Sequence, residues 1–157
     1  EVAHAAGKKV ALSLSDAFCV ERHRDEFLDL VEHHVDILFA NESEIMSLYK
    51  TEDFDRAVWD VKQHCELAAL TRSEKGSVIV SKTGEPIIVP AAPVAKVVDT
   101  TGAGDMYAAG FLFGHARGFP LGECGYLGSL AAAEVISHVG ARPQSDLAAL
   151  VKMRKAG

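Results

Sequence analysis

The segment KVVDTTGAGDMYAAGFLFGHARG, residues 96–118, sets Gly102, Ala103 and Gly104 immediately before Asp105 and an apolar run. A helix starting here presents unpaired backbone N–H groups and the positive end of its dipole, which together suit an anion. Glycines let that backbone come close to a ligand. A carboxylate beside a phosphate is unfavourable unless it has a task. The task that fits is taking the proton from a hydroxyl that attacks phosphorus. The residues alone leave a second reading open: Asp105 complements the helix dipole, and the glycines only turn the chain.

Two other phosphate-binding patterns are absent. Gly7-Lys8 lacks the upstream glycine of a Gly-x4-Gly-Lys-[Ser/Thr] loop, and Tyr107 stands where a dinucleotide fingerprint needs a small residue. A second constellation lies in NESE, residues 41–44. Asn41 is a good N-cap, and Glu44 three residues on shares its side of a helix start. As local chemistry, this is equally a simple cap with a favourable acid in the first turn. His33, His34, His64 and His138 have no carboxylate or cysteine at ligand spacing, and Cys19, Cys65 and Cys124 fit neither a disulfide framework nor a zinc site.

The elements that must position these residues follow from periodicity. KKVALSLS ending at Asp16 reads as a strand, residues 21–34 as a helix with Phe27, Leu28, Val31 and Val35 near helical spacing, and VDILFA as a buried strand. A helix follows Asn41, another covers DFDRAVWDVKQH, and ELAALTRS is strand-like. GSVIVSKTGEPIIVP carries two β runs around Thr83-Gly84-Glu85, a hairpin signal. Helices are expected over 105–118, over 121–140 and, amphipathic, over 146–157, with Phe111, Leu112 and Phe113 as core contacts. The fold class is α/β: a mostly parallel sheet with flanking helices and a β-hairpin.

The bulk numbers agree with a globular domain. The chain has 157 residues, 48% hydrophobic and 24% charged, with a formal net charge of -6. That balance, without a basic patch, argues against a nucleic-acid partner. No apolar run approaches the roughly 20 residues that cross a bilayer. No signal-peptide pattern opens the sequence, and the three scattered cysteines make a reducing cytoplasm the expected setting. The first residues read as the end of a helix feeding a strand, which leads us to expect a piece of a longer chain.

DTTGAGDMYAAGFL resembles the C-terminal signature of the ribokinase-like (PfkB) carbohydrate kinases. NESE resembles the family's Asn-x-x-Glu element, and TRSEKG, residues 71–76, its Thr-x-Gly-x-x-Gly nucleotide loop, with Ser73 in place of the usual glycine. The three motifs stand in the family's order along the whole chain. LSLSDAFCV followed by VDILFANESE is more similar to the adenosine-kinase branch than to typical sugar kinases, and AAAEVISHVGARP resembles bacterial adenosine or sugar kinases of the family.

The resemblance implies that residues 1–157 are the C-terminal, nucleotide-binding half of a ribokinase-like fold, without the N-terminal substrate and lid half. It implies ATP-dependent phosphorylation of a primary hydroxyl on adenosine or a related nucleoside or sugar, with the isolated half inactive. Asp105 matches the catalytic base, and Gly102, Ala103 and Gly104 match the anion hole. Asn41 and Glu44 match the magnesium–phosphate element, Glu44 acting on Mg2+ directly or through water. Thr71, Ser73, Gly76 and Gly104 would line the nucleotide, and Ser129 matches a position flanking adenine, with packing in a small-residue helix as its other reading. Asp99 and Thr101 match positions tied to a monovalent cation such as K+; they equally suit bracing the turn. Family members pair through the lid, so a homodimer of the full-length enzyme is expected. The sugar-kinase alternative, ribose or fructose type, stays open, as does a module that binds nucleotide without turnover.

Overall fold

The alternation of apolar runs and amphipathic stretches becomes an α/β arrangement over residues 1–149, the residues that this computed structural model describes. In chain order the elements are α1 (Val2–Ala5), β1 (Ala11–Ser13), α2 (Ala17–Arg22), α3 (Arg24–His33), β2 (Ile37–Asn41), α4 (Glu42–Tyr49), α5 (Phe54–His64) and β3 (Leu67–Thr71). A 3-10 turn (Ser73–Lys75) then leads to β4 (Ser77–Ser81), β5 (Ile87–Val89), α6 (Ala103–His115) and α7 (Leu121–Val135). The five strands form one sheet in the order β1-β2-β3-β4-β5. β1, β2 and β3 run parallel, with Ala11 opposite Ile37 and Ile37 opposite Leu67. β2 and β3 are buried until their last residues, as strands linked by helical crossovers require. The expected β runs at 77–81 and 87–89 are neighbours in the sheet.

Contacts divide the chain into two compact units: Glu1–Ser73 with Val78–Ile87, and Glu74–Ser77 with the chain from Ile88 onward. The first unit packs Leu14, Val20, Val31, Leu38, Ile45 and Leu48 into one apolar core. α5 shows how the sequence directs this. Phe54, Ala57, Val58 and Val61 recur at helical spacing and are buried, while Asp53 caps the start by accepting from the N–H groups of Asp55 and Arg56.

The second unit centres on α6 against α7. Small residues are needed because the two backbones nearly touch. A Cβ at Gly110 would lie 2.4 Å from the Leu127 carbonyl oxygen, and one at Gly128 would lie 2.7 Å from the Tyr107 carbonyl oxygen. Gly110→Ala is therefore expected to lower the melting temperature, although alanine is favoured over glycine in a helix by about 1 kcal/mol. An unchanged or raised Tm would show that the helices separate without cost.

Several element boundaries differ from the expectation. Residues 21–34 are not one helix: α2 begins earlier, at Ala17, with the Asp16 carboxylate capping Phe18 N–H, and α3 starts anew after His23. α6 begins at Ala103 rather than Asp105, because Gly102 alone makes the turn. α7 stops at Val135, and residues 136–145 form a loop instead of its last turn. Phe111 is buried as expected, but Phe113 is partly exposed, with the Arg117 guanidinium 3.7 Å over its ring. The expected helix over 146–157 is helical at 147–149; its remainder lies outside the described residues. Cys19, Cys65 and Cys124 are all free thiols.

Candidate active site

The site residues expected from the sequence fall into two groups, one in each unit. In the first unit the parallel register sets Asn41 beside Thr71 at the C-terminal ends of adjacent strands. That edge is where open α/β sheets bind ligands. Thr71 Oγ1 donates to the Ala40 carbonyl at 3.5 Å. Ser73, two residues on, has φ +53°, a left-handed conformation that glycine adopts more readily. The serine thus sits in a conformation that suits glycine, the residue usual at this place in the loop pattern it resembles.

Asn41 and Glu44 are bonded reciprocally. Asn41 Oδ1 accepts from Glu44 N–H at 2.8 Å, while Glu44 Oε2 accepts from Asn41 N–H and Glu44 Oε1 from Asn41 Nδ2, each at 2.8 Å. This is a complete capping box on α4. Glu44 is only 5% exposed. Burial pushes its carboxyl above the usual range, opposed by the Asn41 N–H and reinforced by the negative charge of Asp16. Asp16, the cap of α2, was not among the expected site residues. Its signal was present in the sequence as an acid directly after a strand, but only the fold brings it near Glu44. Each Glu44 oxygen takes one bond from Asn41, which leaves a lone pair on each for a cation or its water. A cation there would also relieve the cost of the buried charge, so Glu44 fits Mg2+.

In the second unit Gly102 has φ +79° and caps α6. Only glycine adopts this without strain, and a Cβ there would lie 2.7 Å from the Ala141 Cβ. Ala103 N–H donates to the Thr100 carbonyl at 3.1 Å. It is therefore a weaker candidate donor than its neighbours. At Gly104 an added Cβ would meet nothing within 4 Å, so the backbone there borders open space. Asp105 follows in the first turn of α6 and is exposed. Its carboxylate has room to act on a ligand.

The turn before α6 is held by Asp99. Its Oδ1 accepts from Thr101 N–H (2.9 Å) and Thr101 Oγ1 (2.7 Å), and its Oδ2 accepts from Gly140 N–H (3.0 Å). The Thr101 hydroxyl first, then the Gly140 and Thr101 N–H groups, lower its pKa to about 2. Asp99 and Thr101 thus brace the turn through side-chain hydrogen bonds. Gly76, the last residue of the TRSEKG loop, has φ +87°, and a Cβ there would lie 2.1 Å from the Val89 carbonyl oxygen. Next to it, Ser77 accepts a 2.7 Å hydrogen bond from the buried Tyr107 hydroxyl, whose pKa burial raises to about 12. That bond ties α6 to the end of the loop and was not foreseen. Ser129 Oγ accepts from Ala92 N–H at 2.7 Å, so in this structure the hydroxyl positions the chain after β5.

Known proteins share this fold. Residues 1–147 match the description "pfkB family carbohydrate kinase". The chain superposes on the adenosine kinase of Sinorhizobium meliloti with a TM-score of 0.94 at 52% identity, covering 98% of this chain and 47% of that one. A probable sugar kinase of Rhizobium etli gives a TM-score of 0.95 at 46% identity, with the same coverage of 98% and 47%. A cytidine kinase of Thermococcus kodakarensis is 35% identical over 143 residues, 85% of this chain and 49% of the relative. The chain spans about half the length of these relatives.

Proposed function

This chain belongs to the pfkB family of carbohydrate kinases, and we propose that it supplies the nucleotide-binding half of a longer enzyme that phosphorylates a nucleoside or sugar hydroxyl with ATP. The observation that carries the proposal is the start of α6: a left-handed Gly102, open backbone at Gly104 and an exposed Asp105 within one turn. The N–H groups of Gly104 and Asp105, at the positive end of α6, would stabilise charge on the transferring phosphoryl group. Asp105 would accept the proton of the acceptor hydroxyl as its oxygen bonds to the γ-phosphorus and the bond to ADP breaks. Both tasks come from adjacent residues because the attacking oxygen and phosphorus must approach within about 3–3.5 Å.

Thr71, Ser73 and Gly76 would line the nucleotide, and Ser129 would stand near its base. Mg2+, when bound, would shield phosphate charge while drawing most of its ligands from phosphate and water. Glu44 would hold it, directly or through one water. Asp99, ionised at any working pH, is the negative group that a monovalent cation beside Thr101 would face.

Adenosine is the favoured acceptor because a 52% identical structure is an adenosine kinase; a free sugar is the second reading, because a 46% identical one is a probable sugar kinase. The test is a transfer assay on the full-length protein with MgATP and adenosine, cytidine, ribose and fructose 6-phosphate. Transfer to adenosine at the highest kcat/KM is expected, and transfer to none of them would sink the proposal. The isolated 157-residue chain, without a face to orient the acceptor, should show little turnover.

Glu44→Gln separates the metal role from the cap. Glutamine cannot accept from both Asn41 donors, so a stability loss of about 1 kcal/mol is expected from the damaged cap. If Glu44 also holds Mg2+, the half-saturating Mg2+ concentration at fixed ATP rises several-fold while the acceptor KM stays near the parent's. A parental Mg2+ titration with a lowered Tm would leave Glu44 as a cap alone.

A further inference from the structure

The loop after α7 braces the start of α6, and one carboxylate holds that loop. The Ile136 carbonyl accepts from Val98 N–H at 2.8 Å and from Asp99 N–H at 3.4 Å. Gly140 N–H donates to Asp99 Oδ2 at 3.0 Å, and Ala141 packs where a Gly102 side chain would stand. The 136–141 segment therefore lies along the turn from Val98 to Gly102. Its far end is held by Glu134. One oxygen, Oε1, accepts from Gln144 N–H at 2.9 Å, from Ser145 N–H at 2.8 Å and from His138 Nε2 at 3.3 Å.

The Glu134 side chain is only 6% exposed, and among the described residues its Oε2 is buried without a hydrogen-bond partner. A buried carboxylate with one unused oxygen is a costly way to fill a helix end. It persists where the bonds of the other oxygen matter. Burial raises its pKa, but the N–H groups of Ser145 and Gln144 and the His138 ring outweigh this and keep it below the usual range.

We propose that Glu134 is a positioning residue: by holding the N–H groups of Gln144 and Ser145 it fixes the 136–145 loop against Gly102, and so sets the backbone that receives the phosphoryl group. This rests on the kinase reading above for its catalytic consequence, but not for its structural one. Glu134 touches neither substrate nor the reacting atoms in this scheme. Its effect passes through Ala141 and Asp99 to the Gly102–Asp105 turn. Small displacements there suffice, since misplacing a reacting group by about 1 Å can cost 10²-fold in rate.

The test uses Glu134→Leu and Glu134→Gln in the full-length protein, with two readouts. In kinetics, leucine removes the acceptor and should lower kcat roughly 10–100-fold with the acceptor KM within about two-fold, whereas glutamine keeps an acceptor oxygen and should restore most of the rate. In amide hydrogen exchange, leucine should accelerate exchange at Gly102–Asp105 as well as at Gln144 and Ser145; this holds whether or not the protein proves to be a kinase. Parental kcat in Glu134→Leu, or exchange unchanged at Gly102–Asp105, would overturn the proposal. If Glu134→Leu does not fold, Ala141→Gly removes only the methyl against Gly102. It should give the same pair of changes more weakly, and parental behaviour in both readouts would again overturn the inference.

Discussion

Asp105→Asn is expected to lower kcat of the full-length protein by roughly 10²–10⁴-fold, the range for removing a general base. The fold should survive. Asp105 is exposed in the first turn of α6, and asparagine has the same size and also suits a helix start. The stability change should not exceed the roughly 0.3–1 kcal/mol that a carboxylate gains from the helix dipole. ATP binding should hold or improve slightly, because a negative charge beside the phosphates disappears. A carboxylate serving only the dipole predicts the opposite pattern: a lowered Tm with near-normal turnover. Measuring kcat and Tm on one preparation distinguishes the two, and near-normal kcat would remove Asp105 from the catalytic role.

Gly104→Ala is the second large effect expected. The position lies within α6, and an added Cβ meets nothing within 4 Å, so the free protein accommodates alanine. Helix propensity favours the change by up to about 1 kcal/mol. Tm should therefore stay level or rise. If the γ-phosphate approaches this backbone, the methyl stands in its way, and kcat should fall roughly 10²–10³-fold, as when a backbone or side-chain donor is denied to a developing anion. Gly102→Ala makes the useful contrast. Its φ of +79° and the 2.7 Å approach to Ala141 Cβ predict a protein that is destabilised before any ligand binds. Parental kcat in Gly104→Ala would mean that no reacting group comes near that backbone, and the anion would have to be placed elsewhere.

The two variants also separate what is local in this protein from what is not. The sequence alone determined the features made by residues within a turn of one another. Asn41 and Glu44 form their capping box across three positions, and Asp53 caps α5 across two and three. Gly102 turns the chain into α6, and the apolar spacing of α5 selects its buried face. Residue type and spacing led us to expect the Asn41 cap with Glu44 beside it and the glycine turn before α6, because such interactions close within a few residues; the Asp53 cap is as local but was not among the expectations. The parallel sheet was legible for a related reason: apolar runs separated by amphipathic helices leave few other ways to bury both faces.

Tertiary structure alone decided the links that brace the candidate site. Tyr107 reaches Ser77 across 30 positions, Ser129 reaches Ala92 across 37, and Asp99 reaches Gly140 across 41. Glu134 stands after a run of alanines that reads as featureless helix, and besides His138 its partners are the backbone N–H groups of Gln144 and Ser145, which carry no residue signature. The end of α7 at Val135 was hidden likewise. The next residues include the weak helix formers Ile136, Ser137, Val139 and Gly140; what residue type does not reveal is that backbone groups of Ile136, Gly140, Gln144 and Ser145 bond to Val98, Asp99 and Glu134.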